Sequence, residues 1–143
     1  MYNPTQIEVR EFFFNIIAKD KAKTALTDLE KIALSIILQH SEYNTILNNK
    51  EKYLTYQWHV EDGNTNPFLH LSMHLTLIEQ TSIDQPSGIK DAFYQLCHKY
   101  GDEHTAIHQL MDCLGEMLHQ AQKYKTQPDV NLYLTCINNK IRA

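Results

Sequence analysis

His70 to His74 reads HLSMH and His104 to His108 reads HTAIH, so a 143-residue chain carries the same two-histidine spacing twice. On an α-helix, residues four apart lie within about 40 degrees of each other around the axis, and both rings leave the same face. Neutral imidazoles one turn apart form a two-ligand grip for a transition metal ion. Around the first pair, Leu71, Met73, Leu77 and Ile78 share the direction of the histidines, while Ser72, Thr76, Glu79 and Gln80 occupy the other side. The first pair therefore points inward. Buried imidazoles need partners for their ring nitrogens, and a shared ion supplies them.

The second pair sits at the edge of its apolar face, which centres on Ile107, Leu110, Leu114 and Met117. His104, His108, Met111, Gly115 and His119 form one stripe, with Asp112 and Glu116 beside it. Gly115 has no side chain to hold a neighbouring helix away, and an approach there brings the two pairs face to face. The expected site is thus His70, His74, His104 and His108, with Glu116 or Asp112 as a carboxylate ligand or as a group that orients one. Such a donor set suits Zn foremost, or Fe, Mn or Ni if carboxylates enter the shell. His40, His59 and His98 pair with no other histidine at helical spacing and stand outside this set.

Other chemistry leaves few traces. The chain contains no Gly-rich phosphate loop, no GxSxG and no HExxH. Glu116 and His119 make a single ExxH pair, whereas carboxylate-bridged di-metal bundles need two and further glutamates. Cys113 lies about 140 degrees from His108 around the helix, which disfavours a Cys-His nucleophile. Cys97, Cys113 and Cys136 are odd in number, far apart and without a CxxC pair, so reduced packing cysteines are expected. Trp58 reads as a packing anchor.

The elements that position the histidines are helical. Four Gly and four Pro are too few for the turns of an all-β fold, and 43% hydrophobic with 21% charged residues suits an ordinary folded domain. Apolar spacing predicts a helix from Thr5 to about residue 18. Thr27 and Glu30 form a capping-box pattern that starts a second, from Asp28 to about His40. SEYNTILNNKEKYL predicts a short helix ending near Leu54, and the turn formers Asp62, Gly63 and Asn64 predict a loop. Asn66 and Pro67 open the helix of the first pair. Ile89 to Gly101 is the next, Asp102 caps the helix of the second pair, and a last one begins near Asp129. The fold class is all-α: one compact helical bundle of about six or seven helices, a single domain over residues 1–143.

The net charge of -4 and the scattered Lys and Arg exclude the basic footprint of nucleic-acid or membrane-surface binders. The first apolar run is too short and mixed for a signal peptide or a span, so a cytoplasmic location is expected. A metal-free module for a protein partner, or a homodimer, is the alternative function.

The stretches MYNP, LTDLEKIALSIILQHSEY, TNPFLHLSMHL, SIDQPSGI and HTAIHQLMDCLGEMLHQAQ, in that order, resemble a bacterial family of small uncharacterised proteins catalogued as domain of unknown function 1841. The resemblance covers nearly the whole chain. It places Asn66, Pro67, Phe68, His70, His74, Asp84, Pro86, Gly88, His104, His108, Gly115 and Glu116 on the family's motif positions. His119 departs, since similar sequences carry tryptophan there. The resemblance implies a one-domain cytoplasmic bacterial protein and no particular reaction.

Overall fold

The computed structural model describes residues 4–59 and 66–143, with the backbone alone at Pro4 and Thr5. The expected loop at Asp62 to Asn64 lies outside the described residues. Those residues are all-helical: α1 Pro4–Lys21, α2 Asp28–Leu38, a 3-10 turn Ser41–Tyr43, α3 Asn44–Leu47, α4 Lys50–Tyr53, α5 Pro67–Ile83, α6 Ile89–Tyr100, α7 Glu103–Tyr124 and α8 Val130–Arg142. The chain divides into two compact units, residues 1–75 and 76–143, and the division falls inside α5.

In the first unit, α1 packs on α2 and α3. Phe13, Phe14 and Ile16 of α1 are buried, as are Ala33, Ile36 and Ile37 of α2, Leu47, Phe68 and Leu71. Removing each large apolar side chain from water contributes roughly 2 kcal/mol. The capping box is complete: Glu30 N donates to Thr27 Oγ1 at 3.1 Å and Thr27 N to Glu30 Oε1 at 2.9 Å. Leu29 and Ile32 follow at helical spacing with Ala33, Ile36 and Ile37, yet they are 55% and 40% exposed. Helix α2 also stops at Leu38, two residues before the expected His40, which adopts φ -125 and turns the chain into the 3-10 turn. The short helix expected next is broken into α3 and α4 at Asn48 and Asn49, where Asn49 Oδ1 accepts from Lys52 N and restarts the winding.

Arg10 is the buried cation of this unit. Its Nη1 donates to the carbonyls of Tyr53, Leu54 and Tyr56 at 3.3, 3.1 and 2.7 Å, tying α1 to the end of α4. The guanidinium also lies over the rings of Trp58 and Phe68, 5.0 and 5.4 Å from their centroids. Trp58 is therefore a packing anchor, with Tyr56 and Phe68 at 4.7 and 5.7 Å.

In the second unit α6, α7 and α8 pack on one another. Gly101, at φ 71, ends α6, and Asp102 Oδ2 accepts from Thr105 N at 2.8 Å to open α7. A Cβ at Gly115 would meet nothing within 4 Å, so the close helix approach expected there does not occur among the described residues. The cysteine reading is corrected as well. Cys113 of α7 and Cys136 of α8 form a disulfide, their Cα atoms 5.6 Å apart. Spacing along the sequence does not reveal which turns of two packed helices will face each other, and only Cys97 remains a free thiol.

Candidate metal centre

Helix α5 carries the first histidine pair because its start is fixed. Asn66 Oδ1 accepts from Phe68 N at 2.9 Å and Leu69 N at 3.4 Å, with Pro67 occupying the first helical position. One turn on, the helix buries Leu71, His74 and Leu77 and leaves His70 half-buried. His74 is 3% exposed, so the inward direction read from the sequence holds.

The partner of this pair is His40. Because α2 ends at Leu38, the His40 ring folds back over the last turn and its Nδ1 meets the Ile36 carbonyl at 2.8 Å. That carbonyl, in the last turn of the helix, also accepts from Gln39 N at 3.0 Å. A carbonyl only accepts, so Nδ1 carries the proton and Nε2 is the nitrogen left to present a lone pair. This Nε2 is 3.0 Å from His70 Nε2. The His40 centroid lies 4.8 Å from that of His70 and 5.1 Å from that of His74, and the two α5 rings are 6.0 Å apart. Tyr43 stacks on His40 at 5.5 Å with an interplanar angle of 5°. Burial, then the neighbouring Glu42 charge, pushes the Tyr43 hydroxyl above its ordinary pKa, keeping it a neutral neighbour.

On α7, His104 and His108 are half-buried with ring centroids 4.2 Å apart. One ring nitrogen from each of His40, His70 and His74 falls within 4.8 Å of the others, a cluster in the first unit that could hold a metal ion. In a tetrahedral zinc site with Zn–N of about 2.0 to 2.1 Å, ligand nitrogens stand roughly 3.3 Å apart. The His40–His70 separation of 3.0 Å nearly matches this. All three donors are imidazole nitrogens, the type that suits Zn, Cu, Fe and Ni better than Mg or Mn.

Of the five residues expected from the sequence, His70 and His74 belong to this group, and His104, His108 and Glu116 lie on α7 in the second unit. His104 instead lies edge-on to His108. Glu116 is exposed and accepts from Gln120 Nε2 at 2.9 Å, one turn along its own helix. His59, His98 and His119 are exposed. His40 is the member of the cluster that spacing missed. Its only sequence signal is its place just past the end of a strongly capped apolar helix, where a ring can turn back on the C-terminal carbonyls.

The family described as Domain of unknown function (DUF1841) matches residues 5–139. The chain belongs to this family. Neither a curated protein nor a solved structure matches it. The match spans the clustered histidines His40, His70 and His74 and the segment that follows α5. In that segment Asp84, at φ 53, accepts from Gly88 N and Lys90 N at 3.1 and 3.0 Å. The backbone N–H groups of Lys90 and then Gly88 hold its carboxyl below the usual carboxylate range. Asp84 thus joins the end of α5 to the start of α6, which gives this family-motif position a structural task.

Proposed function

We propose that this family member binds one transition metal ion, Zn(II) foremost, through His40, His70 and His74. The observation that carries the reading is the convergence of three imidazole nitrogens within 4.8 Å, one of them with its tautomer set by the Ile36 carbonyl. A histidine that donates its far nitrogen to a carbonyl is oriented and made more basic for the ion, as in many zinc sites. Three histidines fix the ion, and whatever completes the tetrahedral shell sets whether its role is structural or hydrolytic. Fe(II) and Ni(II) are the next candidates, and the lack of a carboxylate donor in the group makes Mn(II) the weakest.

Elemental analysis of untagged protein purified without chelator tests it, beside a His74→Ala variant. One metal per chain, lost in the variant, is the expected result; wild-type protein that holds no metal and takes up no added zinc, iron or nickel contradicts it.

A metal-free module for a protein partner or a second copy is the other reading. It is favoured by a groove lined by Val9, Phe12, Phe13, Leu29 and Leu75, in which Leu29 is 55% exposed. Among the described residues no helix is long and apolar enough to cross a membrane.

A further inference from the structure

The two sulfurs of the disulfide differ in their surroundings. Cys113 is fully buried in α7, whereas Cys136 is half-exposed on α8 and lines a surface groove of about 360 Å³. Lys140, one turn after Cys136, lines the same groove, its ammonium held 2.8 Å from Gln109 Oε1 and 3.1 Å from Asp112 Oδ2. We infer that Cys136 is a site of thiol–disulfide exchange with a low-molecular-weight thiol, and that Cys113 is the thiol that resolves the adduct.

Exchange depends on thiolate access to a sulfur, and of the two bonded cysteines Cys113 is closed to solvent while Cys136 lines the groove. The incoming thiolate attacks Cys136 Sγ through the groove. Its electron pair forms the new S–S bond, the Cys113–Cys136 bond breaks, and the Cys113 sulfur leaves with that pair and takes a proton from water. The reverse step, attack by Cys113 on Cys136, releases the small thiol and restores the disulfide. A second thiol attacking the adduct at the small-molecule sulfur completes reduction to the dithiol and yields the oxidised, dimeric small thiol.

The packing of α8 does not depend on this bond alone. Tyr133 and Ile137 are buried, and Tyr133 Oη donates to Gln80 Oε1 at 2.7 Å. The bond can therefore open and close while the helix stays docked. Such exchange reconciles the disulfide with the cytoplasmic location expected from the sequence, a compartment where disulfides are transient and not structural. Cys97, the remaining thiol, is disfavoured as the reactive one because burial, then the Glu103 and Asp102 charges, pushes its pKa up.

Reduced glutathione is the probe. Full-length oxidised protein is treated with it under native conditions, quenched with acid at intervals, and mapped by peptide mass spectrometry. A transient glutathione adduct on Cys136 is expected; an adduct on Cys113 or Cys97, or a bond that resists reduction until the protein unfolds, overturns the inference. As a second test, glutathione disulfide is offered to Cys113→Ala and to Cys136→Ala. The remaining partner thiol should react at least tenfold faster in Cys113→Ala, with helicity checked by circular dichroism. Equal rates, or faster reaction of Cys113, contradict it. The wild-type time course needs neither variant to fold.

Discussion

His40 Nε2 and His70 Nε2 stand 3.0 Å apart although thirty residues separate them in the chain. With Nδ1 of His40 committed to the Ile36 carbonyl, two arrangements satisfy this pair. Without metal, His70 donates an Nε2–H to the His40 lone pair. With metal, both Nε2 lone pairs turn to the ion, and the proton on His70 moves to Nδ1. In the proposed metal-bound form nothing else needs to change on the α2 side, because the Ile36 carbonyl already fixes the His40 tautomer.

A ligand that binds only the folded chain stabilises it by mass action. Zinc at a thousand times its dissociation constant should add about 4 kcal/mol, raising Tm by roughly 10 °C in a chain of this size. Thermal unfolding without zinc and with free zinc at that excess checks this, and magnesium should leave Tm unchanged.

Thr27→Ala removes one half of the capping box of α2 and should cost about 1 kcal/mol in urea unfolding. Glu30 makes the other half and pairs with Lys19 at 2.8 Å. The hydrogen bond from Lys19, followed by that from the Thr27 backbone, lowers its pKa. A carboxylate with a depressed folded pKa stabilises the protein above its unfolded value, and that contribution is lost as pH falls through the folded value. Glu30→Gln should therefore be less stable than wild type at pH 7, with the gap closing in acid below pH about 4. A gap independent of pH would contradict the assignment.

Arg10→Lys should lower stability by about 2 kcal/mol, because one ammonium cannot reproduce both the three carbonyl contacts and the stacking on Trp58. Trp58 is the only tryptophan, so its fluorescence reports the loosening directly. Unchanged emission and an unchanged urea midpoint would count against this role for Arg10.

The Cys113–Cys136 bond closes a loop of sequence separation 23, for which chain entropy gives about 3 kcal/mol. Cys136→Ser should lose that amount in urea unfolding under oxidising conditions and match reduced wild type. Cys97→Ser, outside the bond, should stay within about 0.5 kcal/mol.

The helices were legible wherever local signals agreed. Thr27 with Glu30, Asn66 with Pro67, Gly101 with Asp102, and Asp129 each mark a start or stop by chemistry that acts within four residues. Periodicity also placed His74 inward. What failed depends on non-local geometry: His40 reaches the site by leaving its helix, Cys113 meets Cys136 only when α7 and α8 pack, and Gly115 faces open space. Leu29 shows a further limit, since a correct helical phase still leaves the rim of an apolar stripe in water. The boundary between the two units within α5 has no composition shift to announce it, because a continuous helix carries the chain through.

The most direct test of the metal reading is calorimetric titration of zinc into chelator-treated protein, comparing wild type with His40→Ala and Glu116→Ala. One zinc per chain is expected in wild type and in Glu116→Ala, and no stoichiometric site in His40→Ala. Zinc binding that survives in His40→Ala, or that disappears in Glu116→Ala, would contradict a centre built on His40, His70 and His74.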